Sequence, residues 1–412
     1  MCSIEDCHLE NFSENDKCIL HCEKNKWEDE SKINDFWNEI CETIDKVNRQ
    51  NISSGKIIRE VEEESNSKIL KYRFSNIIFP AFRKKYNAMQ ERDFFGLKKN
   101  INLEFDSCIF MSNVDFSLIG SSNNISFKFC TFDSDVIFKE SKFNGLFLLE
   151  SCTFNKNLRF QNILFLDTAS FINTKVKRKA DFIHIKFQSL ALFEAFKSND
   201  FVLDNTFFKD EVSFLSVEVN NLDRKTARII KNSFEQQNNI IEANKFYALE
   251  MKEREKEISP FKNLLEWLTF KIHGLASNHS QNWFLALFWI INLTFLTNFL
   301  SYEFSCENST LHILDRSLFF IGGLIVFVYG ISKLKEKFIN ISLFVFSIFT
   351  YLIYINSYIN DTNLNEFSNM INPFSIMTKG AELTFEILVY KIIIAYLIYQ
   401  LIISIRQNTR RK

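Results

Sequence analysis

The sequence predicts a β-solenoid followed by a helical membrane domain, and three patterns in the 412-residue chain indicate this fold class. A large apolar residue recurs every eleven positions over residues 105–193, and a second register of the same period is offset from it by five. A helical apolar stripe then runs through residues 222–258. Long apolar segments follow within residues 283–412. We therefore expect, in order, a repeat domain, a connector helix and a membrane domain.

The repeat determines the expected geometry of the solenoid. The first register is Phe105, Phe116, Phe127, Phe138, Leu149, Phe160, Phe171, Phe182 and Phe193, and the second is Phe110, Phe132, Phe143, Phe154, Phe165, Val176 and Phe187. Steps of five and six residues match neither a helix nor a continuous strand, so they predict short strands joined by corners. Four such faces make a coil of about 22 residues, and the coils should stack about 4.8 Å apart. Each inward Phe then finds its apolar partners only in the neighbouring coils.

The stretch VIFKESKFNGLFLLESCTFNKNLRF, residues 136–160, resembles the phenylalanine-rich variant of the pentapeptide-repeat family. This resemblance implies a right-handed quadrilateral β-helix over residues 103–221, although the family's usual Ala-Asp/Asn-Leu unit is largely absent. Register slips near 194–198 and 207–214 predict an irregular last coil. The stretch NNIIEANKFYALEM is similar to the segment that joins repeats to membrane helices in bacterial members of the family, so the resemblance also implies a bacterial source.

Residues 1–60 combine a Cys-rich segment with a helical pattern. Candidate ligands for a tetrahedral structural zinc ion are Cys7, Cys18, His21 and Cys22. Their spacing matches no standard zinc finger, and the adjacent His21 and Cys22 would both bind one ion only with local distortion. The alternative interpretation is structural, since Cys2, Cys7 and Phe12 are five residues apart and would form a first repeat unit.

The open end of a solenoid needs cover, because an unpaired coil edge invites aggregation. The apolar stripe over residues 27–47 predicts a capping helix for this purpose, with the polar stretch 48–68 as the alternative cap. Residues 61–102 are then expected to be a lead-in or linker to the repeat.

Four apolar segments predict four membrane spans, since about 20 apolar residues are needed to cross the hydrocarbon core. The predicted spans are 283–300, 317–332, 338–359 and 385–405. An amphipathic segment over 259–282 is expected to lie at the membrane surface. Basic residues cluster in the loop 333–337 and in the tail 406–412. By the positive-inside rule, both termini and the solenoid are therefore expected in the cytoplasm, with a multi-pass domain in the bacterial inner membrane.

Polar residues inside the predicted spans have two interpretations. Lys391 lies one or two turns into the fourth span, where a buried charge is costly and often functional. The favoured interpretation is that it reaches the outer interface or pairs with Glu386. Asn292 and Gln400 are expected to form hydrogen bonds between helices.

Composition and motif content narrow the function. The formal net charge of −1 gives no electrostatic case for nucleic-acid binding. The sequence contains no phosphate-binding loop, dinucleotide fingerprint, zinc-protease motif or nucleophile elbow, so neither an enzyme activity nor a cofactor other than the zinc ion is expected. Nine Cys, of which Cys108, Cys130 and Cys152 fall on inward positions, fit a reducing compartment and free buried thiols.

These patterns lead to two hypotheses for the function. The first is a membrane protein whose cytoplasmic solenoid is a binding or scaffolding surface, with the lipid bilayer and an unknown protein as partners; the spans also permit a homo-oligomer. The alternative is an ion-conducting or membrane-permeabilising pore gated by the solenoid, motivated by Lys391 and the loop around Pro373. That loop, residues 371–383, lacks a T-V-G-Y-G-like filter sequence, which argues against a selective K⁺ pore.

Overall fold

Two units, Met1–Gln237 and Asn238–Lys412, make up the structure, which is a computed structural model. The residues it describes are 2–3, 7, 9–12, 16–24, 27, 30–50, 57–64, 67–80, 101–117, 120–121, 124–305, 327–328, 330, 336–357, 362–377 and 385–409. The first unit contains the repeat, and the second contains the apolar helices.

Strands that are mostly short and mostly parallel build the first unit. They are β1 (Ile57–Glu64), β2 (Ser67–Ser75), β3 (Ile78–Phe79), β4 (Ile101–Asp106), β5 (Ile109–Phe110), β6 (Val114–Asp115), β7 (Gly120–Ser121), β8 (Ile125–Lys128), β9 (Thr131–Phe132), β10 (Val136–Lys139), β11 (Lys142–Phe143), β12 (Phe147–Glu150), β13 (Thr153–Phe154), β14 (Leu158–Phe165), β15 (Ala169–Ser170), β16 (Lys175–Phe187), β17 (Ala191–Leu192), β18 (Lys197–Asp204), β19 (Phe207–Phe208), β20 (Val212–Ser213) and β21 (Glu218–Leu222). Phe105 pairs with Phe127, and Phe138 with Phe160, so each strand pairs with the equivalent strand of the next coil. The predicted β-solenoid and its predicted coil length are confirmed.

Stacked phenylalanine rings fill the interior of the solenoid. Nearly parallel pairs are Phe105–Phe127, Phe110–Phe132, Phe138–Phe160 and Phe165–Phe187, with ring centroids 4.8, 4.5, 4.6 and 5.0 Å apart. Alternate members of each register belong to different stacks, because one step of the register covers half a coil. All of these rings are fully buried, so each ring gains both apolar burial and aromatic contact from the coils above and below it.

The last coil is irregular, as the repeat predicts. The register between β16 and β18 shifts between Val176 and Lys179. Before the shift Val176 pairs with Ser198, and after it Ala180 pairs with Phe201 instead of its neighbour Val202. The coil that ends the solenoid is therefore one residue shorter than the coils before it.

The solenoid begins before residue 103, the predicted start of the repeat. Phe74 of β2 pairs in parallel with Phe105, and Ile78 of β3 pairs with Ile109. β1 pairs with β2 in antiparallel orientation, and Ile57 of β1 is fully buried. Most of the lead-in predicted for 61–102 that the structure describes therefore belongs to the sheets.

Helices cover both ends of the solenoid. The first is α1 (Glu30–Gln50), whose Phe36 and Trp37 rings lie 5.7 and 5.8 Å from the ring of Phe79 in the first coil. The second is α2 (Arg224–Gln236), whose Phe234 is buried. The Ser233 hydroxyl of α2 donates a 2.8 Å hydrogen bond to the carbonyl oxygen of Val212 in the last coil.

The connector is two helices instead of the single helix expected over 222–258. After α2, the chain continues as α3 (Ile240–Glu257). Asn238 between them has a φ of 59°, a left-handed conformation that ends a helix. The Asn239 side chain then accepts a hydrogen bond from the Glu242 amide and starts α3 as its N-cap.

Helices joined by turns build the described part of the second unit. After α3 its elements are α4 (Leu264–Ser277), α5 (Trp283–Ser305), α6 (Glu336–Ser357), α7 (Thr362–Ile371), a 3-10 helix (Pro373–Met377) and α8 (Phe385–Thr409). Its apolar core contains Phe288 and Trp289 of α5, Leu343 of α6 and Ile394 of α8.

Three of the four predicted spans coincide with helices, namely α5, α6 and α8. The remaining one, 317–332, lies outside the described residues except for 327–328 and 330. Within the part of the chain that the structure describes, one helix, Ile387–Gln407, is long and apolar enough to cross a membrane, while Trp283–Phe295 and Phe338–Thr350 are shorter apolar segments. The four-span topology therefore stays a prediction.

Candidate metal centre and the polar interior of the helical unit

Four potential metal ligands meet near the N-terminus. The ligand atoms of Cys2, Cys7, Cys18 and His21 all lie within 4.8 Å of one another, and all four residues are buried. Three of these residues belong to the set predicted from the sequence. The fourth sulfur is that of Cys2, whereas Cys22 Sγ lies apart and contacts the carbonyl oxygen of Ile19 at 3.7 Å.

Cys22 lies next to His21 in the chain, but its sulfur is outside the cluster. The amides of His21 and Cys22 both donate to the carbonyl oxygen of Cys18, at 3.1 and 2.9 Å, so residues 18–22 form a tight turn. In this turn His21 Nδ1 lies 3.1 Å from Cys18 Sγ, whereas Cys22 Sγ contacts the carbonyl oxygen of Ile19.

Backbone hydrogen bonds bring Cys2 to the cluster. The Cys2 amide donates to the Leu9 carbonyl oxygen at 3.0 Å, and the Ser3 amide donates to the Asp16 carbonyl oxygen at 2.7 Å. These pairings fold the first residues back over the loop that contains Cys7. The spacing between Cys2 and Cys7 suggested only a repeat unit, because long-range pairing of this kind leaves no local signal.

Two of the separations between ligand atoms match those of a tetrahedral zinc site. Cys7 Sγ and Cys18 Sγ are 3.6 Å apart, and His21 Nδ1 lies 3.6 Å from Cys2 Sγ and 3.1 Å from Cys18 Sγ. Zinc bonds of about 2.3 Å to sulfur and about 2.0 Å to nitrogen, at tetrahedral angles, place two sulfurs about 3.8 Å apart and a sulfur and a nitrogen about 3.6 Å apart. The first two of these edges are close to the tetrahedral values, and the third, between His21 Nδ1 and Cys18 Sγ, is shorter.

Burial and backbone hydrogen bonds have opposite effects on the pKa of the thiols. Burial raises the pKa of Cys18 to about 12, and backbone hydrogen bonds from Leu20 and His21 oppose this shift of the pKa. Burial also raises the pKa of Cys7, opposed by a backbone hydrogen bond from Leu9. The thiols are thus protonated without a cation, while amide donors are already in place to stabilise their thiolate forms.

A buried lysine lies beside the cluster. Lys24 is 2% exposed, and its Nζ donates to the carbonyl oxygens of Leu20 and Cys22 at 3.2 and 3.1 Å. The ammonium group also lies 5.0 Å from the centroid of the Phe36 ring. Burial lowers the pKa of Lys24 to about 8, whereas the Cys22 and Cys18 thiols favour its charged form.

The polarity of the helical unit is inverted relative to that of a water-soluble bundle. Its buried polar residues include Asn292, Thr294, Thr350, Lys391, Gln400 and Ser404. Its exposed large apolar residues include Phe338, Phe344, Val345 and Phe349 of α6 and Phe385, Ile392, Ile393, Tyr399 and Ile402 of α8. Large apolar side chains therefore cover much of the outside of α6 and α8, while polar side chains lie buried among the apolar residues of the core.

The inward polar groups bond to one another across helices. The Thr350 hydroxyl donates to Asn292 Oδ1 at 3.0 Å, joining α6 to α5. The Ser277 hydroxyl donates to Gln400 Oε1 at 2.9 Å, joining α4 to α8. The prediction that Asn292 and Gln400 form hydrogen bonds between helices is confirmed.

The side chain of Glu386, the predicted partner of Lys391, is not among the described side chains, so the predicted pairing and the predicted reach to the outer interface stay predictions. In the described part of the chain, Lys391 contacts backbone groups. Its Nζ donates to three carbonyl oxygens, those of Asn369, Met370 and Asn372, at the C-terminal end of α7. An ammonium group has three N–H donors, so this arrangement uses all of them. Lys391 thus caps α7, whose last carbonyl groups lack partners within the helix.

A cluster with two histidines joins α3, α4 and α8. His279 Nε2 lies 3.3 Å from Glu255 Oε2, and His279 Nδ1 lies 3.3 Å from His273 Nδ1. His273 Nε2 lies 3.2 Å from the Ser280 hydroxyl, which in turn is 3.2 Å from Gln400 Oε1. Burial lowers the pKa of both imidazoles, so both are neutral at pH 7.

The turn that carries this cluster is strained. Asn278, His279 and Ser280 have φ angles of 51°, 56° and 64°, three successive residues in the left-handed region. Each costs on the order of 1 kcal/mol relative to a right-handed residue. Sequence spacing contained no signal for the cluster, because Glu255 approaches His279 only through the packing of the end of α3 on α4. Ion pairs between Arg254 and Glu266 and between Lys271 and Glu255 hold that packing.

The described outer surface of the solenoid is mostly polar, but a few large apolar side chains are exposed on it, namely Phe129, Leu166, Phe207 and Leu215. The basic segment 175–179 is mostly exposed, and its Lys179 pairs with Asp181 at 2.9 Å. Phe129 is 65% exposed and has a φ of 53°, whereas Ser107 and Ser151 occupy the same corner in the adjacent coils. A bulky residue in this conformation is a backbone outlier, and here its ring also contacts solvent.

Comparisons of this chain with protein-family models, with curated proteins and with solved structures find no match. The likeness to the pentapeptide-repeat family therefore depends on the repeat pattern alone. Function has to be argued from the two units themselves.

Proposed function

We propose that the chain is an integral membrane protein whose β-solenoid is a binding surface for another protein. The observation that carries the membrane part is the inverted polarity of the helical unit. In water, the exposed faces of α6 and α8 would form apolar patches that soluble monomers rarely tolerate. In lipid, the same faces are in their preferred medium, and hydrogen bonds between the buried polar groups satisfy donors that water cannot reach.

Helix α4 supports the same proposal. Its exposed apolar residues Leu264, Leu265, Leu268, Ile272 and Leu275 recur at helical spacing and form one face. Lys271 and Glu266 of the same helix pair with residues of α3 instead. An amphipathic helix of this kind lies in the interface with its apolar face in the lipid.

The proposal includes the topology expected from the sequence. Four spans, at 283–300, 317–332, 338–359 and 385–405, cross a bacterial inner membrane, and both termini lie in the cytoplasm. The basic segments 333–337 and 406–412 are then on the cytoplasmic side. No catalytic step and no nucleic-acid partner is part of this proposal.

Carbonate extraction tests the membrane part. The full chain should stay in the membrane pellet through an alkaline carbonate wash and dissolve only with detergent. The variant I392K/I402K, which places two charges on the outer face of α8, should insert poorly, because a lysine at a span centre costs about 3 kcal/mol. The control F129K, on the solenoid, should behave as the unmodified chain. Release of the unmodified chain by carbonate would contradict the proposal.

The binding surface is proposed to include the corner at Phe129. An exposed aromatic residue held in a strained conformation is a feature of contact sites, because aromatic anchors dominate protein interfaces. A photo-crosslinking residue at position 129 of the full chain should form a protein adduct in cells. The same residue at His184, an exposed corner position with a φ of 56°, is the matched control. Equal labelling from both positions, or none from 129, would argue against this surface.

The pore hypothesis gains no comparable support. Lys391, which motivated it, has its ammonium group in contact with three carbonyl oxygens at the end of α7. Its charge is therefore engaged in a helix cap. Planar-bilayer recordings of the purified chain test the hypothesis directly, and steady ion currents would revive it.

A further inference from the structure

We propose that Cys2, Cys7, Cys18 and His21 bind one structural zinc ion, which fastens the N-terminal segment to the first coil of the solenoid. The donor atoms are within 4.8 Å of one another, and two of their separations are close to the edges of a zinc tetrahedron. This inference is independent of the membrane proposal, since it concerns only residues of the first unit.

The donor set favours zinc over other common ions. Three thiolates and one imidazole form a closed four-coordinate shell, which is typical of structural zinc sites. Calcium and magnesium prefer oxygen ligands, and none of these four side chains supplies one. All four residues are buried, so no position is left open for a water molecule or a substrate.

Lys24 balances the charge of the proposed site. Three thiolates and a neutral imidazole around Zn²⁺ have a net charge of −1. A buried ammonium group is costly unless an opposite charge is near. Lys24 is buried beside Cys18 and Cys22, with hydrogen bonds to two carbonyl oxygens that are neutral. An anionic zinc site supplies a counter-charge for this lysine.

The backbone around the ligands is arranged for thiolates. Amides of Leu9 and Leu20, each two residues after a Cys, interact with the sulfurs of Cys7 and Cys18. Such hydrogen bonds to ligand atoms orient the ligands and stabilise their charged form. They are present although the chain here has no helix or strand among the described residues before Glu30.

The metal would stabilise the connection between this segment and the solenoid. The Ile78 amide of β3 donates to the Leu20 carbonyl oxygen at 3.0 Å, and Leu20 is fully buried. A segment this short buries little apolar surface by itself, and structural zinc stabilises the folding of comparably small segments strongly. Bound zinc would thus stabilise the pairing of residue 20 and its neighbours with β3 of the first coil.

The decisive experiment compares two cysteine variants of the full chain in detergent. Each is purified without chelator under reducing conditions, and bound metal is counted by inductively coupled plasma mass spectrometry. We expect about one zinc per unmodified chain, retention of zinc in C22S and loss of most of it in C2S. Cys22 is the matched control because it is buried, lies next to His21 and is outside the cluster.

A second measurement keeps the test valid if C2S folds poorly. In the unmodified chain, cobalt exchanged for zinc should give the visible absorption of a tetrahedral site and intense sulfur-to-cobalt charge-transfer bands. Differential alkylation should protect Cys2, Cys7 and Cys18 until a chelator is added. No metal after zinc is supplied, zinc retained in C2S but lost in C22S, or a Cys7–Cys18 disulfide in the native protein would each overturn the proposal.

Discussion

Side-chain donors at one corner of the solenoid bond to carbonyl groups of the coil below. Cys130 Sγ donates to the carbonyl oxygen of Phe105 at 3.4 Å, and Cys152 Sγ donates to that of Phe127 at 3.3 Å. Thr174, at the same corner of the coil after Cys152, donates to the Leu149 carbonyl oxygen in the same way. These residues fill space as small buried groups, and each adds a hydrogen bond to the coil before it.

Replacement of Thr174 tests this role. Thr174→Val keeps the shape but removes the hydroxyl that donates to the Leu149 carbonyl oxygen, which should cost about 1 kcal/mol. Thr174→Cys introduces the residue found at the two preceding corners and should cost less. The free energy of opening, measured by hydrogen exchange of the amides in β14 and β16, checks the difference. Equal losses in the two variants would mean that the hydrogen bond is unimportant and packing alone decides stability.

At the candidate metal centre, three of the four clustered residues could be predicted from the sequence, and one could not. Cys7, Cys18 and His21 were identifiable because zinc ligands are few in type and these residues are close in sequence. Cys2 was not, because its place depends on backbone pairing to Leu9 across a loop. Cys22 entered the predicted set as a neighbour in sequence, but its sulfur lies outside the cluster and contacts the carbonyl oxygen of Ile19.

At the scale of elements, the packing of α3, α4 and α8 depends on neutral histidines. His273 and His279 face each other through their Nδ1 atoms at 3.3 Å, and only one of these atoms can carry a proton in the hydrogen bond. The charged groups around the pair are Glu255, which contacts His279, and Lys271, which is paired with Glu255 at 2.5 Å. Lys252 also acts on His279 and disfavours its protonation.

This cluster makes the stability of the helical unit sensitive to acid. Burial lowers the pKa of His273 and His279 in the folded chain, whereas in the unfolded chain the values are near 6.5. Below about pH 6.5 the unfolded state therefore binds more protons, so stability falls as the pH falls through this window. The thermal midpoint of the helical unit in detergent should be lower at pH 5.5 than at pH 7.5.

The matched variants for this prediction are H279Q and H184Q. His279→Gln removes one titrating group and should reduce the difference between the two pH values. His184 is exposed at a corner of the solenoid, so its replacement should leave the difference unchanged. A midpoint that does not change with pH in the unmodified chain would show that the pair is not kept neutral by the fold.

Elements that follow a regular spacing of apolar residues were predictable from the sequence. Elements that lie beyond a break in this spacing, or that end at a local turn, were not. The stacked Phe positions follow from the repeat because each coil copies the one before it. β2 and β3 were not predicted, because residues 81–100 lie between Phe74 and its partner Phe105. These two Phe residues are therefore further apart in the sequence than the length of one regular coil. The break between α2 and α3 was not predicted. Asn238 and Asn239 end one helix and begin the next through their local conformation, and the apolar stripe in the sequence continues across them.

The two units of the molecule differ in where their large apolar side chains lie. In Met1–Gln237 the Phe rings pack on one another, so that unit needs no other partner for its interior. In Asn238–Lys412 many large apolar side chains remain outside, and the polar ones are bonded within. The first arrangement suits water, and the second suits the lipid environment that we propose for the helical unit.

Lipid contact of the helical unit is the central claim, and tryptophan quenching tests it most directly. Trp283, at the start of α5, is 40% exposed. The full chain reconstituted in vesicles of phospholipids brominated on their acyl chains should lose fluorescence relative to vesicles of unbrominated lipid, and the W283F variant should lose less. Equal emission in both kinds of vesicle would contradict the claim, because it would mean that the outer apolar faces do not contact the bilayer.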